Sequence, residues 1–408
     1  MNEKRLLIAA EIFPPAIGGP ATYAATLARE LMSRGWETAV VCYADRVDFD
    51  GPAKVYPTQK SGGAFARYGR YFKTLWRHVG SYPLLYAQGP VSSGLPALIV
   101  AKLRKKKLAV KVTGDYAWEQ AFRAGTTRSF LDAFQRERIG GKYGLLRWIE
   151  RYVCRHAHMV ITPSVYLRNI VIGWGVSADR VTVVYNAVPV NTVTETRSAI
   201  RSRRGIADQQ FLVVSAGRPV PWKGFAILGQ TAARLIARDN VPIALFNLGI
   251  TDVQFYKFLG QDPSITPADQ EQIRGLVHPV ARRTVAGIFN CGTVPQEELL
   301  AWLKAADVFV LNTAYEGLSH LVLEAMRAGT AVVTTNVGGN PELVRSGENG
   351  ILVEYNNTVE LQAAILELCR HPKRRAQLAA AASQVVAKFT MPEMLLNTER
   401  LLRTLISL

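Results

Sequence analysis

Short apolar runs rich in β-branched residues alternate along this chain with stretches of helical period. In the first half the runs fall at 5–13, 37–43, 83–89, 108–114, 159–164 and 181–188. In the second half they fall at 211–218, 242–249, 286–294, 307–313, 331–339 and 350–356. Continuous apolar runs separated by helices are what a parallel sheet covered on both faces requires. Two such series predict an α/β protein of two doubly wound, Rossmann-like parallel-sheet domains.

The stretch 186–205 is polar and without period, which places the domain boundary there and gives domains of 1–190 and 191–387. Sheets of this kind bind ligands outside the carboxyl ends of their strands, so tandem copies are expected to face each other across a shared cleft. Segment 250–284 is long for one strand connection and reads as an insertion with its own helix, and the last residues read as a terminal helix.

Composition narrows the partners. The chain has 408 residues, enough for two cores, and a net charge of +17 that favours anionic ligands. That charge lies in several clusters, and no nucleic-acid module is recognisable, so nucleic acid is not an expected partner. Cys42, Cys154, Cys291 and Cys369 lie far apart without metal-ligand spacing, and read as reduced thiols of a cytoplasmic protein. The first apolar run meets Glu11 too early for a signal peptide, and no window reaches the roughly 20 apolar residues of a membrane span.

Three stretches carry candidate chemistry. In "AYEGLSHLVLEAMRAGTAVVT" Glu316 and Glu324 stand eight positions apart, and Glu324 falls where the helix pattern calls for core. The first amides of that helix, Ser319, His320, Leu321 and Val322, form a positive dipole end suited to a diphosphate. The spacing alone fits a capped surface helix equally well. In "VVSAGRPVPWKGF" a strand ends at Gly217-Arg218, and Lys223 precedes a helix; together they read as a diphosphate clamp, singly as surface charges. In "IFPPAIGGPATYAA" Gly18 and Gly19 open a helix and can bring bare amides to a phosphate or a sugar, or form a plain turn. The GxGxxG spacing is missing, which disfavours a nicotinamide enzyme.

Together with "YEGLSHLVLEAMRAGTAVVTTNVGGNPELV" and "GENGILV", these motifs resemble glycosyltransferase family 4, retaining nucleotide-sugar enzymes of the GT-B fold, over nearly the whole chain. The resemblance implies that Arg218 and Lys223 bind the donor diphosphate, with Gly18, Gly19 and Gly217 beside it. It further implies that amides from Leu318 to Val322 complete the cradle, that Glu316 meets the donor sugar, and that Glu324 holds the ribose hydroxyls. Transfer without an essential metal or other cofactor is implied, as is a last helix, 388–408, that returns to the N-terminal acceptor-binding domain. Many members carry a histidine where this chain has "KVTGDYAWE"; Asp115 there reads either as a hydroxyl-binding carboxylate or as a loop cap.

The expected activity is sugar transfer to a glycan or lipid-linked acceptor in polysaccharide or glycolipid synthesis. The alternatives are a small soluble acceptor or an inactive donor-binding subunit. Residues 64–80 place Phe65, Tyr68, Phe72 and Trp76 at helical spacing among Arg67, Arg70, Lys73 and Arg77, and 102–107 is "KLRKKK". The pair reads either as an anionic membrane surface for a peripheral protein, or as a core-packed stripe with solvated charges.

Overall fold

The computed structural model describes residues 4–16, 18–189, 193–280 and 285–407. The chain divides into two compact units, residues 1–186 with 391–408 and residues 187–390.

The first unit is built on β1 (Arg5–Ala10), β2 (Glu37–Tyr43), β3 (Lys54–Thr58), β4 (Leu84–Ala87), β5 (Lys107–Lys111), β6 (Met159–Thr162) and β7 (Val181–Val183). All pair in parallel, in the order β3-β2-β1-β4-β5-β6-β7. One face of the sheet, with Leu7, Ala9, Val41, Leu85 and Val110, packs on Tyr71 and Leu75 of helix Ala64–His78. Strand β3 has no counterpart among the apolar runs, because it is an edge strand. Its sequence KVYPT keeps a single buried residue, Thr58, and carries a proline that only an edge tolerates.

The second unit holds β8 (Phe211–Ala216), β9 (Ile243–Leu248), β10 (Gly287–Asn290), β11 (Val308–Leu311), β12 (Ala331–Thr335) and β13 (Ile351–Val353). They form a parallel sheet in the order β10-β9-β8-β11-β12-β13. Its strands explain the unbroken apolar runs. Phe211 and Val213 enter one core layer with Phe225 and Ile227, while Leu212, Val214 and Ala216 enter the opposite layer with Trp302 and Leu323. With period two and helices on both faces, every position of the strand is buried. The segment after β9 contributes two helices, Asp252–Gln261 and Pro267–Leu276, each opened by a capping box from Thr251 or Thr266. Residues 281–284 of that segment lie outside the described residues.

The last helix, Met391–Ser407, belongs to the first unit and buries Met394, Leu395, Leu402 and Leu405. Its Glu399 accepts from the Trp36 indole at 3.0 Å and from Arg34 at 3.3 Å, and pairs with Arg403 at 2.6 Å. Among the described residues no helix is long and apolar enough to cross a membrane.

Candidate functional site

In the second unit the strand order reverses between β8 and β11, which is where an open α/β sheet binds its ligand. The loops leaving these two strands carry most of the residues singled out in the sequence. After β8 come Gly217, exposed Arg218 and nearly buried Lys223; after β11 come Asn312, Tyr315 and Glu316. The two loops are stitched to each other. Asn312 Nδ2 donates to the Gly224 carbonyl at 3.1 Å, the Ala314 amide donates to the Trp222 carbonyl at 2.8 Å, and the Lys223 ammonium is ion-paired with Glu316. The Asn312 side chain also accepts from the Asn356 amide at 3.0 Å, so Asn312 locks three loops together.

A third loop backs the second. The Gly339 amide donates to the Glu316 carbonyl at 2.9 Å. A Cβ on Gly338 would stand 2.1 Å from that same oxygen, and the residue's φ of +59° already excludes most side chains. The sequence Gly338-Gly339 therefore serves close approach of one backbone to another. Glu316 is held from behind by backbone and from the front by Lys223.

Helix His320–Arg327 starts where this loop ends, with Ser319 as its N-cap. Ser319 Oγ accepts from the Val322 amide at 3.3 Å, so the expectation that Val322 stays open toward a phosphate is corrected. A serine at this position bonds the third helical amide as a matter of helix-end chemistry. The amides of Ser319, His320 and Leu321 stand at the positive end of the helix, while the Leu318 and Val322 side chains go to the core.

Glu324 is nearly buried one turn further, and its Oε1 accepts from Gln296 Nε2 at 2.7 Å. Burial pushes its carboxyl up to about 7, and the Gln296 hydrogen bond offsets part of that rise. Gln296 opens helix Gln296–Ala305, and its residue type gave no hint of the contact. Between pH 4.5 and 7 the folded chain keeps a proton on Glu324 that the unfolded chain has released. Stability therefore falls as pH rises through that window, by about 3 kcal/mol, and is level above it. Glu324→Gln should remove this slope, seen as a smaller drop in urea midpoint from pH 5 to pH 7.5 than in the wild type.

Gly18, Gly19 and Asp115 lie in the first unit. Gly18 precedes helix Gly19–Ser33 without a side-chain cap, and its carbonyl takes the Ala21 and Thr22 amides at 3.0 and 3.2 Å. Asp115 is a cap. It is buried, one oxygen accepts from the Trp118 amide at 2.8 Å, and the other accepts from Gln135 Nε2 at 2.8 Å. Glu150 beside it takes the Tyr116 and Ala117 amides at 2.6 and 3.1 Å, so two carboxyls close one helix end. Of the two roles open to Asp115 in the sequence, the structure assigns helix capping, with both carboxylate oxygens already engaged.

Comparison with known proteins agrees with this geometry. The sequence model of Glycosyltransferase Family 4 matches residues 17–192, and that of Glycosyl transferases group 1 matches residues 196–385. The chain is 29% identical over 245 residues to an alpha-maltose-1-phosphate synthase of Mycolicibacterium smegmatis, covering 58% of this chain and 59% of that protein. It is 27% identical to a D-inositol 3-phosphate glycosyltransferase of Catenulispora acidiphila, over 83% of this chain and 76% of that protein. Among solved structures, sucrose-phosphate synthase from Thermosynechococcus elongatus superposes with a TM-score of 0.73 at 20% identity, over 99% of both chains. An Anabaena protein, HepE, in complex with UDP and glucose, superposes with 0.73 at 18% identity, over 98% of this chain and 100% of that one. Matched in both units and sharing their fold, the chain belongs to the GT-B glycosyltransferases of family 4.

Proposed function

We propose that the protein transfers a hexose from a nucleoside diphosphate sugar, bound by residues 187–390, to an acceptor hydroxyl, with retention at the anomeric carbon. The observation that carries this reading is the Lys223–Glu316 ion pair at the β8–β11 reversal, fixed by three loops. As the glycosidic bond breaks, negative charge grows on the departing diphosphate. Lys223, Arg218 and the amides of Ser319 to Leu321 supply positive charge there in advance, without an essential metal. Glu316 meets the sugar hydroxyls once the donor draws Lys223 toward phosphate. The ribose hydroxyls donate to Glu324, which favours its charged form, so donor binding near pH 7 releases a proton. A complex of the Anabaena relative with UDP-glucose makes a uridine donor the first to try.

The experiment is thermal stabilisation by a panel of nucleoside diphosphates and their sugars, on wild type and Glu324→Ala. One nucleotide-sugar should raise the melting temperature of the wild type alone. A panel that stabilises neither protein leaves an inactive or degenerate donor unit.

For the acceptor we favour a glycan or lipid-linked sugar met at an anionic membrane surface. Helix Ala64–His78 contributes less to that surface than its sequence implied, since Tyr71 and Leu75 are buried, Phe72 and Trp76 pack on the core, and Phe65 is exposed. The support comes from the neighbouring helices Gly94–Leu103 and Gly141–His156, joined by Lys102 Nζ donating to Tyr152 at 3.2 Å. Ile99, Leu103, Leu145 and Trp148 are exposed there among Lys102, Arg104, Lys105 and Arg155. Apolar and aromatic side chains ringed by cations suit the interface of an anionic bilayer. Co-sedimentation with phosphatidylglycerol vesicles at low salt, lost in Trp148→Ser, is the expected result. Without it the second reading holds, a small soluble acceptor, which the maltose-1-phosphate synthase and inositol 3-phosphate glycosyltransferase activities of the similar proteins favour.

A further inference from the structure

Helix His320–Arg327 carries a carboxyl among residues that are otherwise core. Leu323, Ala325 and Met326 enter one apolar layer, while Glu324 in the midst of them is 9% exposed. Among the described residues it forms no ion pair, and its one hydrogen bond comes from Gln296. A buried carboxylate without a cation costs stability, and that cost is recovered where a ligand brings donors to it.

Gln296 stands at the first position of helix Gln296–Ala305, which follows edge strand β10. Its side chain does not cap its own helix: Pro295 is the N-cap, and no side chain closes that end. The glutamine is exposed, yet it reaches to another helix, with Nε2 2.7 Å from Glu324 Oε1. That bond fixes the plane of the carboxylate. Neither Glu324 Oε2 nor Gln296 Oε1 has a partner among the described residues. Two unspent acceptors therefore stand on neighbouring groups. A vicinal diol carries two donors and needs such a pair.

We propose that Gln296 is a specificity residue of the donor site, its Oε1 accepting from the ribose 2′-hydroxyl while Glu324 accepts from the 3′-hydroxyl. The donor is then a ribonucleoside diphosphate sugar and not a 2′-deoxyribonucleoside one. Positions along the two helices make the assignment. Glu324 lies one turn inside the helix whose first amides meet the diphosphate, and Gln296 comes to it from the helix behind β10. Along a nucleotide the 3′-hydroxyl is the nearer to the phosphates, so it falls to Glu324. The 2′-hydroxyl, next to the base, falls to Gln296. A 2′-deoxyribose leaves Gln296 Oε1 without a donor, and a site built around a hydroxyl discriminates against the analogue that lacks it. The inference rests on the transfer reading above, and divides between two residues the diol given there to Glu324.

The test is titration calorimetry at pH 8, where Glu324 is ionised. UDP, ADP, GDP and CDP, each with its 2′-deoxy form, are titrated into wild type and Gln296→Leu. The wild type should bind its preferred ribonucleotide about tenfold tighter than the 2′-deoxy form, the worth of one hydrogen bond to a neutral acceptor. In Gln296→Leu that ratio should fall nearly to one. Gln296 is exposed, so the variant should melt close to the wild type. Weakening of both forms by the same factor would make Gln296 a mere support for Glu324 and overturn the proposal. A wild type that binds both forms equally would overturn it too, and in either case the donor site stands. A wild type that binds no member of the panel removes the transfer reading itself, and this inference with it.

Discussion

Lys223→Ala should slow sugar transfer by about a thousandfold at saturating donor, with a much smaller change in donor affinity. Removing one preorganised donor from a site that stabilises developing charge costs about 3–4 kcal/mol. Lys223 belongs at the upper end of that range for two reasons. Its side chain is only 9% exposed, so its charge acts where water screens it little. It is also the counter-charge of Glu316, whose carboxylate would otherwise face the donor sugar without a cation beside it. Lys223→Arg should recover little, because a planar guanidinium fork does not place its charge where the compact lysine ammonium meets Glu316. Single-turnover rates at saturating donor decide this. A variant that loses donor affinity and keeps its rate would make Lys223 a ground-state contact only.

Asp307→Asn should lower the stability of the second unit by about 3 kcal/mol, or about 10 °C in melting temperature. One Asp307 oxygen accepts from Arg201 at 3.2 Å and from the Leu212 amide at 2.8 Å. The other meets Arg197 at 2.6 Å and Arg375 at 3.0 Å. Arg201 is 3% exposed and also donates to the carbonyls of Ala305, Ala207 and Gln210, at 3.2, 2.8 and 2.5 Å. Neutralising the aspartate leaves a buried guanidinium with carbonyl partners but no anion, and that is where the loss arises. Arg375 is more exposed, so Arg375→Ala should cost under about 1 kcal/mol. Urea midpoints at constant m-value make the comparison. Equal losses for the two variants would mean that packing, not charge, governs this node.

Most of the scaffold was legible because its strands are buried on both faces, which leaves an unbroken apolar signature in the sequence. β3 was not, since an edge strand with Lys54 and Pro57 has no such signature. The runs also overshoot the strands at their carboxyl ends: 211–218 ends as strand at Ala216, and 307–313 at Leu311. The overshoot is the site itself, because small and buried loop residues there look like strand in composition. Residues 218 to 324 of the candidate donor site were found from helix-end and strand-end chemistry. The Gln296 contact to Glu324 was hidden, because it depends on two helices meeting in space. Nothing in a linear sequence distinguishes a capping aspartate from a ligand-binding one until the Trp118 amide and the Gln135 side chain are in place.

Glu399 and the last helix carry a consequence for how the protein is made. The first unit is completed by residues 391–407, whereas the second is contained within 187–390. On the ribosome the second unit therefore has its full sequence in hand while the first still lacks the helix that covers Trp36. A nascent chain exposes the seat of Met394, Leu395, Leu402 and Leu405 until that helix has been made. A premature stop anywhere in the last 17-residue helix would thus harm the unit made first and spare the unit made second.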